Sequence, residues 1–198
     1  MKSDAHARCM SDSKAFFDAI RAGDAGKVRE MLASDHSLVN AKTERGFSPV
    51  TVAAYYRQAD ILDVILSHRP TMTVHDAALS GDLKHVRELV GKNPKLANDV
   101  SSPDGFPPLA LAAYAGRAEV VKILVKAGAN VNYLYESGEA AVLVTAAANG
   151  NPEIVKTLLD AGADPNIRTK AGKTPLAMAV EKGKPEIAEM LRQRGGTM

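Results

Sequence analysis

The chain has 198 residues, 45% of them hydrophobic, and a formal net charge of +2. That length suits one well-buried domain or an extended array of small units, and so slight a positive excess gives no argument for nucleic acid as a partner. A single cysteine, Cys9, excludes an internal disulfide and cannot hold a metal alone, which favours a reducing, cytoplasmic setting.

Residues 1–11 lack the apolar segment of a secretory signal and are expected to form a disordered tail. Residues 12–41 carry FFDAIRAGDAGKVREML, a helix–glycine–helix pattern. In residues 42–72, Ser48-Pro49-Val50 opens a first helix and ADILDVIL supplies a second. VHDAALSGDLKHVRELV repeats the helix–glycine–helix plan within 73–99, and GFPPLALAAYAGRAEVVKILVKAGANVN follows within 100–132. Residues 133–166 contain AAVLVTAAANG and NPEIVKTLLDAGADPN, and residues 167–198 contain GKTPLAMAVEKGKPEIAEMLRQR. No apolar run approaches the ~20 residues of a membrane helix.

These segments share one grammar. Proline is tolerated in the first turn of a helix, where its missing N–H has no partner anyway. Ser48 and Thr174 stand where a side-chain oxygen caps that helix. Ala112-Ala113 let neighbouring helices approach, and Gly116, Gly150 and Gly183 suit a left-handed turn at its end. The second helix buries pairs such as Val120-Val121 and Ile123-Leu124. Gly116 and Gly150 are 34 residues apart, and Gly150 and Gly183 are 33 apart.

Thr174-Pro175-Leu176, and Pro108-Leu109 through Gly116, best match a pattern that resembles the ankyrin repeat, a β-turn followed by two helices. The resemblance covers nearly everything after residue 12 and implies an all-α solenoid of six units, near 12–41, 42–72, 73–99, 100–132, 133–166 and 167–198. The C-terminal AEMLRQRGGTM puts arginines and glutamine where an inner unit is apolar, as a terminal unit needs. A longer period is also present. Gly23 and Gly81 lie 58 residues apart, as do Leu38 and Leu96, while Tyr55 and Tyr114 lie 59 apart. The first two units read as a duplicate of the next two.

Three departures stand out. Only SHRPTMT separates Leu66 from Val74, too little for a full β-turn finger, so a gap is expected there: simple erosion of a repeat, or a notch for a ligand. Arg57 stands where the other five units have glycine, so the turn is either rebuilt or strained. In the fifth unit Ala141-Val142 replace Thr-Pro, and the spacing from Gly138 to Gly150 is one residue longer than from Gly105 to Gly116. Its finger is expected to be the loosest.

The resemblance implies that partners bind through the fingers and the concave face of the first helices. Mapped onto this chain, those positions include Phe47, Tyr55, Tyr56, Phe106 and Tyr114, with Tyr133 and Tyr135 on the fifth finger. Arg45, Arg57 and Asp104 in the same region add polar direction. Of the nine aromatics only Phe16 and Phe17 fall elsewhere. Large rings outside an aliphatic core suit an interface, where tyrosine and arginine are the usual anchors, although Phe47 and Phe106 also suit a purely structural role covering the hinge between finger and helix.

Catalytic signals are weak. AGKT at 171–174 lacks the first glycine of a phosphate loop, since position 167 is isoleucine. Of the histidines His6, His36, His68, His75 and His85, no pair has the spacing of a helical metal site. His75 is expected to be a buried structural residue. Neither Ser80 nor Cys9 has an activating partner. Glu119, Glu153 and Glu186 suit first helical turns, and Lys122, Lys126 and Lys156 a solvated outer face. The expectation is a monomeric, soluble, non-catalytic scaffold for protein–protein interaction, without cofactor or metal, binding a protein or peptide partner and neither nucleic acid nor membrane. The alternative of another class is a small-molecule or catalytic pocket lined by the concave tyrosines beside the missing finger.

Overall fold

The computed structural model describes the backbone of residues 2–135 and 141–198 and the side chains of residues 12–135 and 141–198. Among the described residues there are twelve α-helices and no strand beyond one antiparallel bridge between Leu134 and Ala141. The all-α architecture expected from the repeats is present. The pairs are α1 (Lys2–Ala22) with α2 (Ala25–Ser34), α3 (Pro49–Tyr55) with α4 (Ala59–Ser67), and α5 (Val74–Ser80) with α6 (Leu83–Lys92). Then follow α7 (Pro108–Tyr114) with α8 (Ala118–Lys126), α9 (Val142–Asn149) with α10 (Pro152–Asp160), and α11 (Pro175–Glu181) with α12 (Pro185–Gln193). The backbone of α1 runs through residues 2–11, which the repeat pattern sets apart from the array; described packing begins with Phe16. Two compact units result, Met1–Asp76 and Ala77–Met198, divided within α5.

In Met1–Asp76, α1 packs on α2 and α3, and α2 on α4. Their core holds Phe16 and Ile20 of α1, Leu32 of α2, and Ile61 and Ile65 of α4, all nearly inaccessible. In Ala77–Met198 first helices stack on first helices, α7 on α9 and α9 on α11. Second helices follow suit, α6 on α8, α8 on α10 and α10 on α12. Ala112, Ala113, Ala146 and Ala147 are fully buried where the first helices meet, so small side chains set the close approach. Leucine and valine from the second helices, such as Val121 and Leu124, close the core; Ile123 is only half-buried.

The local signals act as their chemistry requires. Pro49, Pro108 and Pro175 open their helices, and the hydroxyls of Ser48 and Thr174 accept from Thr51 N and Ala177 N. Gly150 ends α9 with φ of 81°, and a Cβ there would also stand 2.6 Å from Lys184 Cε. At Gly81 (φ 89°) the intruding neighbour is Arg117, whose Nε donates to Leu79 O at 3.2 Å. Glycine at these two turns therefore serves both the backbone angle and the side chain laid over it from the next pair.

Of the two outcomes open at Arg57, a rebuilt or a strained turn, the strained one is present. Its φ is 55°, and the turn keeps the glycine pattern, with Arg57 N donating to Ala54 O and Gln58 N to Ala53 O, as Gly116 N does to Ala113 O and Arg117 N to Ala112 O. A second case, Arg69 (φ 53°), ends α4 where Gly128 ends α8.

Fingers form at Thr43–Phe47, Ser102–Phe106 and Thr169–Lys173. In the first, Thr43 N donates to Phe47 O and Gly46 N to Thr43 O; Thr169–Lys173 repeats both bonds. No such turn fits between α4 and α5, where Thr71 N donates to Asn40 Oδ1 and Thr73 already caps α5. In the fifth unit the helix begins after Ala141 with no side-chain cap, as its sequence predicts. Gly138, on which the expectation of a loose finger rests, lies outside the described residues.

An asparagine ladder binds successive loops. Asn98 Oδ1 accepts from Asn130 N at 2.7 Å while its Nδ2 donates to Gly128 O at 2.8 Å. Asn132 and Asn166 make the same two bonds to the loops about one repeat further on. Each side chain thus satisfies the carbonyl of the glycine that follows the C-cap of a second helix.

Candidate partner-binding site

Phe16 and Phe17 are the only aromatic residues among the buried hydrophobics. The other seven rings lie outside the buried set, half-buried or exposed. They fall into two groups, one in each compact unit.

In Met1–Asp76 the finger places the Arg45 guanidinium 5.2 Å from the centre of the Phe47 ring, within cation–π range. Phe47 meets Tyr55 edge-on, with centroids 6.1 Å apart and planes at 78°. Arg45, Phe47 and Tyr55 therefore form one chain of contacts from fingertip to the end of α3. Tyr56 and Arg57 follow directly at that helix end, and Tyr56 is 52% exposed. Phe47 is half-buried and packs against the core of this unit.

In Ala77–Met198 Phe106 packs on Tyr135 at 4.6 Å, and Tyr135 on Tyr133 at 6.0 Å. Tyr133 donates its hydroxyl to Gly105 O at 3.2 Å, and the Tyr135 hydroxyl bonds Thr145 Oγ1 at 3.1 Å. Burial pushes the Tyr135 phenol above its ordinary value, and the Thr145 bond offsets only part of this. Tyr135 thus braces the Gly105–Phe106 turn against α9. Asp104 makes a local turn contact, its Oδ1 accepting from Phe106 N at 3.4 Å. Tyr114 is 40% exposed, and its carbonyl accepts from Asn149 Nδ2 at 2.9 Å.

Asp76, the most connected polar side chain among the described residues, ends a Thr-x-x-Asp capping sequence, but its ties to Ser48 and Thr51 carry no local signal. It is 2% exposed and accepts from the hydroxyls of Ser48, Thr51 and Thr73. Thr73 N also donates to Asp76 Oδ2, and Asp76 N to Thr73 Oγ1, the reciprocal pattern of a capping box with Asp in place of Glu. One carboxylate thereby ties the openings of α3 and α5. His75 beside it is buried, as expected.

The outer faces are solvated ion-pair surfaces. Lys122 bridges Glu119 and Glu153, which raise its pKa, and Asp160 joins Lys156 to Arg194. Glu119, Glu153 and Glu186 do occupy first turns. Among the described residues no three His, Cys, Asp or Glu side chains gather as a metal centre, and no helix is long and apolar enough to cross a membrane.

The sequence model of the family described as Ankyrin repeats (3 copies) matches residues 74–169 and 134–197. The chain is also 26% identical over 125 residues to FPV240 of fowlpox virus (strain NVSL), which is named as an ankyrin repeat protein; the match covers 58% of this chain and 30% of that relative. The chain spans well under two thirds of that relative's length. With more than half of its residues matched by the family model and with helix pairs of the expected plan, the chain belongs to the ankyrin repeat family.

Proposed function

We propose that this protein is a non-catalytic interaction module that holds a protein or peptide partner through the rings excluded from its cores. Ankyrin repeats are in general protein-interaction modules, which supplies the class. The observation that carries the reading is the division of labour among side chains: apart from Phe16 and Phe17, aliphatic residues fill the interior, and every tyrosine stays outside it. A large ring left in water is costly in a molecule that has apolar interior to offer, whereas it is the usual anchor of an interface. Tyr56 and Tyr114, more exposed than the other described tyrosines, are the contact anchors. Phe47 with Tyr55 in one unit, and Phe106 with Tyr135 in the other, support the fingers, with Arg45, Arg57 and Asp104 giving polar selectivity. Within each unit, rings braced in this way lose little entropy on binding.

The test is selection of peptides against the intact chain, followed by affinity measurement on variants. Tyr56→Ala and Tyr114→Ala are expected to weaken the selected ligands at least tenfold, with an unchanged far-UV spectrum and melting temperature. Ligands bound equally well by the double variant would remove the assignment.

A further inference from the structure

We propose that His36 and His68 form a two-histidine site for a divalent first-row transition-metal ion. The residues lie in different helix pairs of Met1–Asp76, and the fold brings their rings to 5.6 Å between centroids with planes at 36°. A metal–nitrogen bond of about 2.0–2.1 Å puts two imidazole centres about 5 Å apart around a tetrahedral ion. The observed separation of 5.6 Å is close to that value.

The proton of His68 is already placed. Its Nδ1 lies 2.9 Å from Val64 O, and a carbonyl can only accept, so Nδ1 carries the hydrogen. In its neutral form the ring keeps its lone pair on Nε2, the nitrogen left for a metal. A backbone carbonyl fixing the second ring nitrogen is the usual outer support of a metal-binding histidine. His36 is exposed, and neither of its ring nitrogens has a hydrogen-bond partner among the described residues. Water can therefore complete the coordination shell.

The backbone frame is fixed independently of the imidazoles. Asn40, at the end of the 3-10 turn His36–Asn40, accepts from Thr71 N at 2.7 Å and so ties that turn to the segment after His68. The later copy of this arrangement keeps the tie, through Asn98 and Asn130 N, but has Pro94 in place of His36 and Ala127 in place of His68. The turn therefore folds without either histidine, and the paired rings have no structural necessity. Flanking charges cancel: Asp35 precedes one ligand and Arg69 follows the other. Affinity would rest on the two imidazoles, in the order Cu²⁺ above Ni²⁺ and Zn²⁺.

The experiment is isothermal titration of the untagged full chain with Cu²⁺, Ni²⁺ and Zn²⁺ at pH 7.5 and 5.5, alongside His36→Gln, His68→Gln and His85→Gln. Expected is one ion per chain at pH 7.5, at least tenfold weaker in either of the first two variants and unchanged in His85→Gln. Binding should fall at pH 5.5, because protons compete with a metal ion for imidazole nitrogen. In proton NMR, Zn²⁺ should shift the ring signals of His36 and His68 together. Failure of the wild type to bind tighter than millimolar overturns the site, as does binding that survives both substitutions. Far-UV spectra of the variants confirm folding.

Discussion

The two compact units solve the same turns with different residues. In Met1–Asp76 two left-handed positions are held by Arg57 and Arg69, whereas every left-handed position described in Ala77–Met198 is glycine. Each arginine costs about 1–2 kcal/mol of backbone strain that glycine avoids. The first unit also has the heavier polar anchoring, with Ser48, Thr51 and Thr73 all bound to Asp76. In the second unit α7 and α9 begin with no side-chain cap, and only Thr174 caps a first helix. One unit thus tolerates strained turns on a buried network, and the other has relaxed turns over a core of alanine, valine, leucine and isoleucine. The difference shows that a repeat constrains geometry more tightly than it constrains the means of reaching it.

Removing the anchor should break this comparison most visibly. Asp76→Ala leaves the buried hydroxyls of Ser48 and Thr51 without their acceptor and removes the bonds to the exposed Thr73, and hydrogen bonds to a charged group contribute about 1.5–3 kcal/mol each. A loss of about 3 kcal/mol or more is expected in urea denaturation followed by far-UV circular dichroism. Thr174→Ala in the other unit should cost only about 1 kcal/mol, the usual value of a cap. Equal losses would mean that Asp76 is no more than another cap.

The strained turns offer a smaller effect of opposite sign. Arg57→Gly should stabilise by about 1 kcal/mol, strain relief being partly offset by the greater freedom of glycine in the unfolded chain. Gly116→Ala should destabilise by about 1 kcal/mol through its backbone angle alone, because a Cβ there meets nothing within 4 Å. If Arg57→Gly is neutral or destabilising, its side chain contributes something to the fold that the described contacts do not contain.

The helix pairs, their prolines and their turn glycines are legible in the sequence because each depends on a neighbour within a few residues. The placement of aromatics outside the core is legible for a related reason: the periodic positions are already filled by aliphatics, so Tyr55 and Tyr114 have nowhere else to go. What is hidden depends on residues about a repeat apart. Asp76 finds Ser48 and Thr51 across 28 and 25 residues, and nothing in DAALS distinguishes it from an ordinary first-turn acid. Asn98 and Asn132 look like generic loop residues until the next loop is laid beside them. Tyr135 maps to an exposed finger by register, yet Thr145 draws its hydroxyl inward.

The smallest effect separates two caps that occupy corresponding places. Asp24 caps α2 by accepting from Lys27 N, and Asp82, 58 residues later, caps α6 by accepting from His85 N. Asp82 alone adds a bond to an imidazole, His85 Nδ1, at 2.8 Å. Burial raises the pKa of Asp82, but its bonds to His85 outweigh this and leave it lowered. A folded value below the unfolded one, about 3.9, gives stability that is complete above that pH and is lost as pH falls through the folded value. Asp82→Asn keeps the cap and removes the charge, so it isolates this contribution. After allowance for solvent screening the variant should be about 0.5 kcal/mol less stable at pH 7, with the gap closing towards pH 2. The corresponding change Asp24→Asn, where no imidazole faces the cap, should open a smaller gap at pH 7. If the Asp82→Asn gap persists undiminished at low pH, the contribution is not ionic, and His85 merely packs against the cap.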